Sequence, residues 1–229
     1  DLGGQVWRFD VKDGSAASEL VIGGVMASVG GEEDAAKDRR FYYAPDISEA
    51  RCSGKVFYNV AIGSGDRENP VTDKDIQNTF FSFRDYLLRT QVKTTEYKST
   101  CTAPVDGSAP EPCFATIVDD SSLVDATATA SPTIDGSATG WKLELIQSAV
   151  DGEKALAESR TFAGRIFFTT YSPENPPPGA GGGSPDGDVC GKKVGVNRLY
   201  VVNACNAAPV TNYASETGEP LGVDDRSKI

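Results

Sequence analysis

Within residues 59–85 an apolar run stops at Gly63-Ser64-Gly65, crosses a charged stretch containing Pro70, and restarts as Phe80, Phe81 and Phe83, closed by Arg84-Asp85. Strand-length apolar runs punctuated by Gly, Pro, Asn and Asp confine a chain of this kind to sheets. The same grammar recurs along the sequence. Residues 5–11 alternate bulky and polar side chains ahead of the turn Lys12-Asp13-Gly14. Residues 19–29 are apolar but interrupted at Gly23-Gly24, which marks a bulge or a close backbone approach. Residues 40–44 and 55–62 read as buried strands, 80–88 as another, and 141–146 alternate Trp141, Leu143 and Leu145 with polar neighbours. Residues 163–171 form the most β-prone run, and 198–203 the last strand. No βαβ alternation occurs, so the fold class is all-β: a sandwich, a barrel or a propeller. At four strands per blade the chain holds about three blades, too few to close a ring alone.

Elsewhere the pattern is weaker. Residues 73–79 carry cap-like residues and are expected to form one helical turn. Residues 94–113 and 121–140 are polar, and periodicity does not decide their fold; a helix over 121–130 is weakened by its Ser and Thr content. Residues 175–188 are a Pro/Gly-rich excursion that cannot bury enough surface to pack itself, and 210–229 read as a polar tail.

Charge and composition exclude several functions. The net charge of −11 opposes binding to nucleic acid or to an anionic membrane surface. No hydrophobic run reaches the roughly 20 residues of a spanning helix, so no membrane insertion is expected. With no histidine in the sequence, His-based triads and His-ligated zinc are excluded. The residues at 10–14 and 186–188 are mis-spaced for an EF-hand loop, and no paired-carboxylate or SxxK motif supports catalysis. The chain starts at Asp1 with a strand almost at once, as expected of a piece of a longer protein.

Five cysteines fit no zinc or thioredoxin spacing. Cys101 and Cys113 bracket a Pro/Gly-rich loop, and Cys190 and Cys205 bracket a hairpin-like return, so two disulfides are expected and with them an oxidising compartment. The alternative is five reduced, buried thiols. Cys52 is left over, either a buried thiol or one whose partner lies upstream.

Three blocks, DLGGQVWRFDV from Asp1, IGSGDREN with the aromatic segment ending in FRD, and AESRTFAGRIFFTTYSP from Ala157, together resemble the C-terminal domain of the PilY family, the tip-associated adhesin and biogenesis factor of type IV pili. They cover somewhat under half the chain, in family order. The resemblance implies the C-terminal portion of a modified quinoprotein-type β-propeller with long loops and small insertions. Residues 1–210 would be a partial propeller completed by upstream residues, and 211–229 a polar tail. Trp7 and Phe9 would pack between neighbouring blades. Gly63 and Gly65 would form a structural turn capped by Asp66, with Arg67 pairing with a carboxylate. Calcium is implied, with its Asp-rich loop expected before Asp1. The implied role is non-enzymatic: pilus assembly and retraction control, surface adhesion and twitching motility. Its partners would be minor pilins, the rest of the parent polypeptide and a host or abiotic surface, at the extracellular pilus tip after export through the periplasm. The alternatives are a quinoprotein-type dehydrogenase and a carbohydrate-binding β-sandwich.

Overall fold

The computed structural model describes residues 1–11, 16, 20–31, 34–88, 97–98, 113–145, 152–173, 195–211 and 219–228, with backbone alone for 22, 97–98 and 113–116. In chain order the strands are β1 (Gln5–Val11), β2 (Val21–Ser28), β3 (Asp46–Cys52), β4 (Lys55–Gly63), β5 (Thr79–Asp85), β6 (Tyr97–Lys98), β7 (Cys113–Val118), β8 (Val124–Asp125), β9 (Gly140–Glu144), β10 (Lys154–Ala155), β11 (Arg160–Phe162), β12 (Arg165–Pro173), β13 (Gly195–Asn203) and β14 (Ser227–Lys228). Helical structure among the described residues is confined to short 3-10 turns. The protein is all-β.

The strands form three sheets, ordered β1-β2-β7-β6, β3-β4-β5-β9-β8 and β10-β12-β13-β14, with β11 also paired to β12. Pairing is antiparallel except for β2 with β7 and β8 with β9. Two hairpins are set by local chemistry. Ser53-Gly54 and Ala163-Gly164 have φ of 50° and 77°, and of 50° and 72°. Both are two-residue turns with left-handed backbone, matching the twist of the strands they join.

The middle sheet is covered on both faces, which explains the Phe80-Phe81 doublet. Side chains alternate across a strand. Val60, Ile62, Phe81 and Phe83 meet Val6 and Ala27 from the first sheet, along with Val29 just after β2 and Phe41. Ala61, Phe80, Trp141 and Leu143 face the other way, onto Ile166, Phe168, Tyr200 and Val202 of the third sheet. Every residue of β5 except Asp85 is therefore buried. Phe80 stacks on Phe168 at 3.8 Å between ring centroids, and Phe168 on Tyr200 at 4.6 Å.

Among the described residues four buried cations staple the irregular segments between strands, each through backbone carbonyls. Arg39 donates to Gln77 O at 2.9 Å, Val29 O at 3.3 Å and Asp120 Oδ1 at 2.8 Å. Arg84 donates to Asp135 O and Cys205 O, both at 2.8 Å, and its guanidinium lies 4.9 Å over the Phe57 ring. Lys154 donates to Pro70 O at 3.2 Å and to Asp73 O. Arg226 donates to Ala207 O at 2.7 Å, Thr127 O at 3.1 Å and Thr129 O. Carbonyls outside a ladder need such donors once buried, and a charged donor gives the stronger bond.

Several expectations are corrected. Residues 40–44 form no strand: the Phe41 amide donates to Asp1 O and the Phe41 carbonyl accepts from the N-terminal amine, both at 3.0 Å, so no ladder is needed. Residues 73–79 form no helical turn, because Asp73 O accepts from Lys154, Gln77 O accepts from Arg39, and Thr79 already belongs to β5. The helix over 121–130 is replaced by one 3-10 turn at Asp120–Ser122, capped by Asp119, followed directly by β8. In the polar C-terminal stretch, Arg226 is buried and β14 pairs with β13.

The disulfide scheme changes most. Cys205 bonds to Cys52, with Cα atoms 5.6 Å apart across 153 residues of sequence, and not to Cys190. The bond ties the end of β3 in the middle sheet to the turn after β13 in the third. Sheet packing brings these two ends together, and loop polarity along the sequence carries no information about it. Cys52 is thus not left over. Cys101, Cys190 and the side chain of Cys113 lie outside the described residues, and so does the expected Cys101–Cys113 bridge.

Candidate functional site

The turn that leaves β4 is the most heavily bonded polar feature in the described structure. Ser64 N donates to Thr79 O at 3.0 Å and its hydroxyl accepts from Thr79 N at 2.9 Å, closing the mouth of the β4–β5 connection. Asp66 then gathers five donors. Glu68 N at 2.8 Å, Asn69 N at 3.2 Å and Tyr42 hydroxyl at 3.2 Å reach Oδ1; Arg40 at 3.2 Å and Asn69 Nδ2 at 3.1 Å reach Oδ2. Asp66 is 5% exposed, so this carboxylate organises the turn and has little capacity left for a ligand.

Gly63 and Gly65 are required for a reason other than the turn itself. Neither has a positive φ. A side chain at Gly63 would meet Ala155 Cβ at 2.4 Å, and one at Gly65 would meet Ala155 O at 2.7 Å and Lys154 Cβ at 2.8 Å. The glycines let β10 of the third sheet lie directly against the turn, where Ala155 N donates to Ser64 O at 2.9 Å. Gly65→Ala is expected to destabilise the protein by about 2–3 kcal/mol, because the intruding Cβ meets backbone that cannot move without breaking this bond. Urea denaturation measures it; an unchanged midpoint would show that β10 is not fixed there.

Arg67 lies 5.7 Å over the Tyr43 ring and pairs with no carboxylate among the described residues. The ion-pair partner of Asp66 is Arg40 instead.

Beside the turn lies a cleft of about 260 Å³, lined by Asp38, Arg40, Asp66, Asn69, Thr72, Asp73 and Ile76. Its walls follow from the staples already described, since Lys154 holds the 69–73 loop open from behind. Burial pushes the Lys154 ammonium below its ordinary pKa, and it pushes the Asp73 carboxyl above. For Asp66 burial acts in the same upward direction, but the bonds from the Asn69 side chain and from the amides of Glu68 and Asn69 outweigh it and hold the carboxyl below 3.8. The cleft offers polar contacts to a small group. The Asp66 carboxylate among its lining residues is committed to the turn.

The ionised form of Asp66 is the bonded one, which sets a sign for pH dependence. Its contribution is fully present above the ordinary carboxylate pKa and is lost as pH falls through the lower folded-state value. Wild-type protein is expected to lose stability as pH falls through and below the ordinary carboxylate range, and Asp66→Asn, weaker at pH 7, to converge with it once pH is below the lowered folded-state value. Thermal melts across pH test this; parallel curves would remove Asp66 from the acid response.

Trp7 and Phe9 do not enter the core between sheets. Val6 does, because alternation along β1 directs Val6 and Arg8 toward the middle sheet, where Arg8 pairs with Asp85. Trp7 and Phe9 stack on each other on the opposite face, with ring centroids 6.0 Å apart, and Phe9 is 60% exposed.

The buried cations were the residues that sequence reading missed. Of the four, Arg84 directly follows the aromatic run, whereas Arg39 stands beside Arg40 and Arg226 follows Asp224-Asp225, so no common sequence signal marks them. Among the described residues no group of three or more His, Cys, Asp or Glu side chains is placed to hold a metal ion. Compared with protein-family models, with curated proteins and with solved structures, the chain matches none.

Proposed function

We propose that this chain is a non-enzymatic contact module, part of a PilY-like component at the tip of a type IV pilus, acting in pilus assembly, retraction control, adhesion and twitching. The observation that carries the reading is where the resembling blocks fall. DLGGQVWRFDV supplies β1, IGSGDREN supplies the Asp66 turn, the segment ending in FRD supplies β5, and RIFFTTYSP is β12. The shared residues thus fall in all three sheets and on the most densely bonded turn, where a family resemblance of structural origin belongs. Three sheets in succession, each packed on the next, support the partial-propeller reading, with other blades contributed by the parent polypeptide. A disulfide between distant strands supports passage through an oxidising compartment on the way to the cell surface. Minor pilins below and a host or abiotic surface above are the partners this role requires, and any calcium would be held outside this chain.

Deleting the parent gene tests the reading. Pilus counts by electron microscopy and twitching zones are expected to fall, and the purified protein is expected to show no dye-linked dehydrogenase turnover with added quinone and calcium. Normal piliation together with quinone-dependent turnover would replace the adhesin with a quinoprotein enzyme.

A further inference from the structure

Residues paired across neighbouring strands share a face of the sheet. Ser48 of β3 pairs with Asn59 of β4, and Asn59 pairs with Arg84 of β5, so the three form one polar row across the middle sheet. The row lies on the face turned to the third sheet, because Ala61 and Phe80, in step with Asn59 and Arg84, join the core there. Asn59 is fully buried and Arg84 is 5% exposed. Each member of the row carries a buried polar atom with no hydrogen-bond partner among the described residues: Ser48 Oγ, Asn59 Nδ2 and Arg84 Nε. Such atoms are rare in a folded protein, and three in one row point to a shared partner.

The chemistry of the row selects that partner. Asn59 Oδ1 is taken by the Ser82 hydroxyl at 2.5 Å, which leaves the amide nitrogen. Arg84 leans diagonally over Phe57 and gives Nη1 and Nη2 to Asp135 O and Cys205 O, which leaves Nε–H beside Asn59. Both nitrogens can only donate, and the Ser48 hydroxyl can donate too. Among the described residues no carboxylate lies within ion-pair distance of the Arg84 guanidinium; that of Asp135 is exposed and bonded to Ser137. A buried cation beside unused donors is matched by an anion that accepts from them. Strands about 4.8 Å apart leave a monatomic ion above Asn59 as the species that can touch all three. We propose that a chloride ion sits there, between the middle and third sheets, accepting from Arg84 Nε, Asn59 Nδ2 and Ser48 Oγ. This goes beyond the pilus reading and does not depend on it. Asp46, the next inward residue of β3, has its carboxylate 4.0 Å from Arg160, so its charge is shared with a cation.

The anion dependence of stability tests the site. Gluconate is too large to enter the row, and without a site chloride stabilises a fold no more than gluconate does. At equal ionic strength the thermal midpoint in sodium chloride is expected about 4 °C above that in sodium gluconate. Asn59→Asp is expected to abolish the difference, because its carboxylate supplies the negative charge beside Arg84. Ser48→Ala, at a half-buried position, is expected to keep the fold and to weaken chloride binding about fivefold, as for one lost hydrogen bond. Crystals grown in sodium bromide should show an anomalous peak bonded to Arg84 Nε and Asn59 Nδ2. A midpoint in chloride no higher than in gluconate, a chloride dependence retained by Asn59→Asp, or a water where the bromide is expected would each overturn the proposal.

Discussion

Replacing Cys52 and Cys205 with serine is expected to lower the unfolding free energy by about 3–5 kcal/mol, near the upper end for a single disulfide. The size follows from the span. The bond closes 153 residues of sequence, so in the unfolded chain it removes more loop entropy than a bridge between near neighbours. The native side adds to this. Cys52 is 4% exposed, and the carbonyl of Cys205 is held by Arg84 at 2.8 Å, so the turn that carries the bond is also tied to β5. Loss of the bond leaves the junction of the middle and third sheets to packing and to Arg84. Urea titration of the oxidised protein and the double variant gives the difference. An unchanged midpoint would mean that the two sheets do not need this tie.

Trp141→Ala is expected to cost about 4 kcal/mol, comparable to the disulfide but by a different mechanism. The ring is fully buried, it packs against Phe80 at 6.1 Å between centroids, and its indole N–H donates to Ala204 O at 3.0 Å. Alanine removes the ring that fills the space between two sheets and leaves the carbonyl without its donor. Trp141→Phe separates packing from hydrogen bonding: it keeps much of the ring and loses the indole donor, for an expected loss of about 1–2 kcal/mol. Packing therefore contributes more than the hydrogen bond. Chemical denaturation of both variants checks it, and equal losses would instead make the hydrogen bond dominant.

The strands were legible where the physics is local. Alternation in residues 5–11 and 141–146, and the unbroken apolar run through Phe80, Phe81 and Phe83, correspond to β1, β9 and β5. What the sequence concealed depended on long-range contact. DISEARC reads as polar, yet it forms β3, because an edge strand needs only half a covered face. Gly63 and Gly65 look like turn glycines, but their requirement comes from β10, some ninety residues away in sequence. Cys205 found Cys52 and not Cys190 for the same reason. Asp66 was recognisable as a turn cap from its place after Gly-Ser-Gly. Its link to Arg40, in place of a carboxylate for Arg67, was not, because the segment that holds Arg40 forms no ladder from which a register could be read.

Immunogold labelling with antibody raised against this chain tests the proposed role most directly. On sheared and cell-attached pili the label is expected at filament tips, absent from a strain deleted for the parent gene and restored by complementation. Label confined to the cell body or periplasm, with filaments of normal number and unlabelled tips, would contradict it.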